Sequence, residues 1–496
     1  MSPRRPKLVL CVIDAMAPAM LEQVVAAGAA PVLGRLMQEG LYVSDCVAAF
    51  PSVTPVCAAS IVTGVGQDAH HIPGMNWYHR EEERYVEYGS SFRAAQRTGI
   101  ARQLTDTVYN MNRAHLSART LTVFESLDDV EVRTAGTTYL MYRGRHLHEP
   151  QRDTALTRVA ATLMRHPVLG PRELFYADIF ASRRTGCRSG LGMPGVRDRH
   201  SGCVSSYLVE HDLFDFLLLS LPDNDWHSHK RGLEGQLHSL AQADLQLARV
   251  ANAAGGLDAF LADHAVIVMA DHSQAPVLDT IALQDELAEL GVLTPGRAPR
   301  GEQVEPRIAV CPSQRAAMVY ALHPSERDAM RASVAALARS IVGVELVMWL
   351  ERDVHDRPRE GVIAGPAGEL RFAPGGIVTD ERGESWSVEG ALETIGASLR
   401  DGRLASRSHP DALARVWAAL TCPTSGEVLL SASPGYEFVD WGRQAHVGGG
   451  SHGSLHASDS LGALVISGLE GPLPDREQWA IRDVAGLVLR HFGLDA

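Results

Sequence analysis

Short apolar runs recur along the chain, and each stops at a polar or turn-forming residue. LVLCVI precedes Asp14, DFLLLSL precedes Pro222, HAVIVMA precedes Asp271, and ALVISG ends at Gly468. Runs that are continuously apolar, rather than alternating, belong to strands buried on both faces. Between them lie segments such as EGQLHSLAQADLQLARVANAAGG, with apolar residues at helical spacing and a terminal glycine pair suited to a helix C-cap. Strand runs alternating with helical segments predict an α/β fold with a mostly parallel central sheet and helices on both faces.

Two stretches break this alternation. Residues 146–205 contain RHLHEPQRD and ASRRTGCRSGLGMPGVRDRHSGC, rich in Arg, Gly and Ser, and read as a loop-rich insertion beside a site. Residues 290–445 carry IAVCPSQRAAMVYALH, a helix near 325–341, ELVMWL, and the turn-rich AGPAGELRF and FAPGG, and read as a smaller α+β cap insertion. The core is then assembled from 1–145, 206–289 and 446–496.

Composition narrows the function classes. With 45% hydrophobic and 21% charged residues over 496 positions, the chain can bury a large core. Lys+Arg 46 against Asp+Glu 59 gives a net charge of −13, which argues against a nucleic-acid polymer as partner. The seven cysteines are odd in number and form no CxxC pair, so reduced thiols are expected, including Cys187 and Cys203. In MSPRRPKLVLCVIDAM the apolar run is cut by Asp14 and reads as a strand rather than a leader. With no run of about 20 apolar residues, a soluble, cytoplasmic protein without membrane contact is expected.

Asp14, Asp223 and Asp271 each stand just beyond an apolar run. The carboxyl ends of parallel strands form the ligand crevice of such sheets, so the three acids should converge. One such Asp alone is often only a helix cap. Histidines accompany them: His227 at i+4 from Asp223, His272 beside Asp271, and His452 in GGGSHGSLHASDS. Mixed Asp and His donors favour zinc over magnesium or calcium. Asp225 and His229 repeat the i, i+4 spacing in PDNDWHSHK; the first pair is preferred because Asp223 is the first acid past the strand and Pro222 fixes its exit. In FPSVTPVCAASIVTG, Thr54 sits at the start of a helix with Pro55 behind it. That is an ordinary cap pattern, and it is also where a helix dipole and a cation would activate a hydroxyl nucleophile.

The blocks VIDAM, FPSVTP, LPDNDWH, ADHS and GSHGS, spread from residue 8 to about 468, resemble the alkaline phosphatase superfamily, and within it the nucleotide pyrophosphatase/phosphodiesterase branch. The resemblance implies an alkaline phosphatase-like core and a phosphoester hydrolase with two zinc ions, manganese being an alternative. Asp14, Asp271 and His272 would bind one ion together with Thr54, and Asp223, His227 and His452 the other. Thr54 would attack phosphorus to give a covalent phospho-threonine, and Asn76, in HHIPGMNWY, would donate to a phosphoryl oxygen. The chain departs from the family at Trp226, where a glycine is usual, and at Ala270 and Ser273 around the Asp-His pair.

The implied substrate is a small phosphodiester or nucleotide pyrophosphate. The alternatives on the same metal core are a phosphomonoesterase or phosphonate hydrolase, for which Arg143, Arg145 and Lys230 are candidate extra cations, and a metal-dependent phosphomutase. A sulfatase is excluded, since Thr54 stands where a Cys-x-Pro-x-Arg cysteine is required and CPSQR at Cys311 falls after Asp271. A non-catalytic protein would have lost a ligand or the nucleophile.

Overall fold

A computed structural model describes residues 5–152, 157–158, 162, 164–296, 305–353 and 355–495. Parts of the two expected insertions, residues 153–156 and 297–304 among them, lie outside the described residues. The first apolar run forms the strand Lys7–Ile13, buried at every position, between the parallel strands Phe216–Leu221 and His264–Met269. Ile13 pairs with Leu221 and Val12 with Met269, so all three strands end at one level. Whatever follows them emerges at one edge of the sheet.

Eight strands make this central sheet, in the order Leu41–Val47, Leu461–Ser467, His264–Met269, Lys7–Ile13, Phe216–Leu221, Thr134–Thr137, Glu173–Tyr176 and Phe180–Ala181. It is mostly parallel. Leu461–Ser467 is the internal exception, antiparallel to both neighbours. Successive side chains of Lys7–Ile13 serve opposite faces, as a period of two requires. Val9, Cys11 and Ile13 pack with Leu240, Ala243 and Leu247 of the helix Gly235–Ala253 and with Val204 and Leu208 of the helix Arg197–Glu210. Leu8, Leu10 and Val12 join Val56, Cys57 and Ile61 of the helix Thr54–Thr63 on the other face.

A second, mainly antiparallel sheet of nine strands runs from Ile308 to Ala432. Its outer face holds the helix Arg327–Ala338 through Met330, Val334 and Ala338. Its inner face, with Met318, Tyr320, Met348, Ile363 and Phe372, belongs to the same apolar cluster as Leu8 and Leu10 of the central strand. Burial of that many apolar side chains fixes this sheet against the core.

Segment 146–205 differs from its reading as surface loops. It supplies the strands Glu173–Tyr176 and Phe180–Ala181 to the edge of the central sheet and the start of the helix Arg197–Glu210. These edge strands carry Leu174, Phe175 and Phe180, all buried, which the Arg- and Gly-rich flanks obscure in the sequence. The expectation of reduced thiols is corrected here as well: Cys187 and Cys203 form a disulfide, because the helix brings Cys203 beneath the loop that holds Cys187. The other five cysteines are free and buried. Cysteine usage therefore does not argue for a reducing compartment. Among the described residues, no helix is long and apolar enough to cross a membrane.

Candidate metal centre

Asp14 and the pair Asp271–His272 follow directly from the strand ends. The backbone turns sharply after Ile13, with Ala15 at φ 58°, and the Ala15 amide donates to Asp271 Oδ1 at 3.2 Å. His272 is fully buried, and its Nε2 lies 3.6 Å from Asp14 Oδ1 and 3.5 Å from Asp271 Oδ2. Thr54 occupies the first turn of a helix in which every residue from Pro55 to Val62 is buried, and its Oγ1 is 3.2 Å from the same Nε2. The cap is Val53, one residue earlier than the sequence pattern indicates.

His452 arrives from the far end of the chain. The short strand Gly450–Ser451 pairs with Ala275–Ile281, and Gly453 follows at φ 119° with the Ser313 carbonyl 2.8 Å from where a Cβ would stand. Only glycine allows that approach. The loop is further held by Arg315, fully buried, which pairs with Asp459 at 2.8 Å. The His452 ring stacks on His272 with centroids 3.8 Å apart.

The fourth element is the helix Asp223–Arg231. At about 100° per residue, a two-residue shift turns a side chain to the opposite side, so Asp223/His227 and Asp225/His229 cannot both face the site. The structure brings Asp225 and His229 inward: Asp225 Oδ1 is 3.3 Å from His229 Nε2 and 3.6 Å from His452 Nε2. This differs from the sequence preference for Asp223 and His227. Asp223 instead accepts from the Gly195 amide at 2.8 Å, the Asp198 amide at 3.1 Å and Arg197 Nε at 2.9 Å. Asp198 reciprocates by accepting from the Asp223 amide. The two acids thus satisfy each other's helix N-termini, a use the sequence spacing does not reveal. His227 turns away and packs against Trp226 and His238.

All three inward histidines are oriented alike. His272 Nδ1 lies 3.0 Å from the Ser273 carbonyl, His452 Nδ1 2.7 Å from the Ser52 carbonyl and His229 Nδ1 2.8 Å from the Gly450 carbonyl. A carbonyl can only accept, so each one fixes Nδ1 as the donor and turns Nε2 toward the acids, the arrangement a metal-binding imidazole needs. At His229 the facing Asp225 outweighs burial and raises the imidazole pKa. His446 stacks on His229 at 4.0 Å and is itself tied to the buried Glu437. Gln274 donates to Asp225.

Electrostatics within the cluster are unbalanced. Burial pushes the Asp14 carboxyl well above its usual range, and Asp271 and Asp225 push it further, with Arg197 opposing. Burial also raises Asp271. Asp225 is held below the carboxylate range because His229, and then His452 and His272, outweigh the effect of burial. Burial and the neighbouring His272 keep His452 neutral. Asp14 Oδ1 is buried and has no hydrogen-bond partner among the described residues. Two groups here could each hold a cation: Asp14, Asp271 and His272, and Asp225, His272 and His452. An orphaned carboxylate oxygen among converging acids and inward-facing imidazole Nε2 atoms is a donor set that fits a divalent ion.

Other expected residues fall elsewhere. Asn76 is fully buried, and its Nδ2 donates to the Pro312 carbonyl at 2.6 Å, so the amide expected to face a phosphoryl oxygen is given to the second sheet. Its neighbour Met75 lines the cleft. Arg143 pairs with Glu125, Arg145 with Asp129, and Lys230 lies over the Trp226 ring; none of the three lines the cleft. The cleft, about 320 Å³, holds Asp14, Thr54, Asp225 and Asp271 at its floor. Its walls include Tyr88, Tyr139 and Tyr176, and no described residue of 290–445.

Comparison with known proteins agrees with this architecture. The structure resembles phosphonoacetate hydrolase from Sinorhizobium meliloti 1021, solved with phosphonoformate, at TM-score 0.55 and 17% identity over 98% of this chain and 96% of that one. It also resembles murine ectonucleotide pyrophosphatase/phosphodiesterase 5, at TM-score 0.57 and 11% identity over 99% and 96%. An inactive form of the murine protein in complex with AMP gives TM-score 0.56 at 11% identity, over 99% and 96%. Comparison with curated sequences gave no match. The family model for type I phosphodiesterase/nucleotide pyrophosphatase matches residues 8–455. The chain therefore belongs to the type I phosphodiesterase/nucleotide pyrophosphatase family of the alkaline phosphatase superfamily, metal-dependent hydrolases of phosphoester bonds.

Proposed function

We propose that this chain is a two-cation phosphodiesterase or nucleotide pyrophosphatase that works through a covalent phospho-threonine on Thr54. One observation carries the proposal: three imidazoles spend Nδ1 on backbone carbonyls and aim Nε2 at three carboxylates and one hydroxyl. Asp14, Thr54, Asp271 and His272 would hold one cation, and Asp225, His229 and His452 the other. The second set replaces the Asp223 and His227 expected from the sequence. The mixed nitrogen and oxygen donors suit zinc, with manganese the next candidate.

Bound there, divalent ions supply Lewis acidity, offset the carboxylates and lower the pKa of the Thr54 hydroxyl. The rest is the work of the chain. The buried helix Thr54–Thr63 holds Oγ1 fixed at the cleft floor, and its N-terminal dipole favours a developing alkoxide. Oγ1 attacks phosphorus, forming an O–P bond as the bond to the leaving oxygen breaks. Water then hydrolyses the phospho-threonine and frees the hydroxyl. The tyrosine and aliphatic walls limit the water that reaches the reacting atoms. AMP and phosphonoformate, the molecules bound in the relatives, are small phosphorus oxyanions of the proposed size.

The test is a zinc-supplemented panel of a p-nitrophenyl phosphodiester, the matching monoester and a nucleoside pyrophosphate. Faster cleavage of the diester or pyrophosphate is expected. Faster cleavage of the monoester would assign a phosphatase, and cleavage of none would refute the hydrolytic reading.

A further inference from the structure

Arg197 stands out in the cleft that holds Thr54. Among the described residues lining that cleft it is the single cation, facing three carboxylates, Asp14, Asp225 and Asp271. An arginine placed among acids would ordinarily be consumed by them. This one is held from behind instead: Nε donates to Asp223 Oδ1 at 2.9 Å and Nη2 to the Pro222 carbonyl at 3.0 Å. Nη1 makes no hydrogen bond to the described residues.

The bracket is rigid. Asp223 is buried and also accepts from the Gly195 and Asp198 amides, and Asp198 accepts in return from the Asp223 amide. Arg197 thus begins one helix and is clamped to the first turn of another, the helix that carries Asp225 and His229. The guanidinium is preorganised beside the reacting centre, with the Nε and Nη2 edge tied down and the Nη1 amino group left over. A planar fork held this way recognises phosphate or carboxylate oxygens, and a fixed donor loses little entropy on binding. Building this bracket takes the acid at the first turn of the helix out of the ligand set. A purely structural arginine would not need to line the cleft.

We infer that Arg197 is a specificity-determining residue that binds a second anionic group of the substrate, a phosphate or a carboxylate next to the scissile bond to phosphorus. The inference rests on the hydrolytic reading above and narrows it. Substrates with a charged neighbour, a phosphoanhydride or a carboxylated phosphonate, gain this contact, whereas a diester with an uncharged aryl leaving group does not.

The test compares wild type, Arg197→Gln and Arg197→Lys on three probes: a nucleoside triphosphate, phosphonoacetate, and the p-nitrophenyl ester of a nucleoside monophosphate. The expected result for Arg197→Gln is a fall of about tenfold or more in the ratio of kcat/KM for a charged-neighbour probe to kcat/KM for the aryl ester, carried mainly by KM. Arg197→Lys should fall between the two, since it keeps the charge and loses the fork. The charged probe whose ratio moves tells a phosphate neighbour from a carboxylate neighbour. Melting curves and metal content establish that the variants are folded and loaded, and the ratio cancels any general loss of active protein. Wild-type turnover with a ratio unchanged in Arg197→Gln overturns the role of Arg197 alone. Wild type inactive on all three probes overturns the hydrolytic reading, and this inference with it.

Discussion

Protein carrying Thr54→Ala is expected to fold, to keep the cleft, and to lose about 10⁴-fold or more in kcat on whichever phosphoester the wild type prefers. The size follows from the mechanism: no other described hydroxyl shares its place 3.2 Å from His272 Nε2 at the cleft floor. Fold should survive because Thr54 is only half-buried and its side chain does not cap the helix, whose packing rests on Pro55 to Val62. Thr54→Ser should retain part of the activity, since it keeps the oxygen. Steady-state kinetics together with mass spectrometry of acid-quenched wild type, seeking phosphate on Thr54, check both points. Turnover in Thr54→Ala equal to wild type would place the nucleophile elsewhere.

Removal of divalent ions should be nearly as severe. Without them, Asp14, Asp225 and Asp271 face one another, and Asp14 Oδ1 is left buried and unpaired. Burial and mutual repulsion push the Asp14 carboxyl up, a strain that bound cations remove. Protein dialysed against a strong chelator should therefore lose its activity, and zinc should restore it. Because the ions bind the folded state alone, they should also raise the melting temperature; at a thousandfold excess over Kd the gain is about 4 kcal/mol per site. Differential scanning calorimetry with and without zinc reads this directly. Full activity after chelation would contradict the account.

Most of the architecture is legible in the sequence because it is written in local pattern. The runs before Asp14, Pro222 and Asp271 are buried on both faces and form adjacent parallel strands, so their ends had to meet. Asp14, Asp271 and His272 converge for that reason alone. Direction was less legible: Leu461–Ser467 has the same apolar character as its neighbours and runs antiparallel to them. Strand direction depends on connections elsewhere in the chain, not on the strand itself.

The pair in LPDNDWHSH illustrates the limit more sharply. Two acids and two histidines share one spacing, and the two pairs lie on opposite sides of one helix. What separates them is the partner of Asp223, and that partner is Arg197 with the amides of Gly195 and Asp198, all in the segment read as surface loops. Long-range capping leaves no mark in local periodicity. The same segment hid the edge strands and the Cys187–Cys203 disulfide, since Arg and Gly at its flanks outweigh a few buried aromatics. The nine-stranded sheet packs through an apolar face continuous with the core and contributes nothing to the cleft lining. Among the described residues, the cleft walls come mainly from 75–197 and not from 290–445.

The most direct test of the centre is metal content measured beside turnover in His229→Gln and His227→Gln, each compared with wild type after loading with zinc. His229→Gln is expected to lose about one of two bound ions and at least about a hundredfold in kcat/KM. His227→Gln should match wild type in both. Loss of metal and activity in His227→Gln, with His229→Gln intact, would contradict the assignment of Asp225 and His229 and return the second site to the opposite side of the helix.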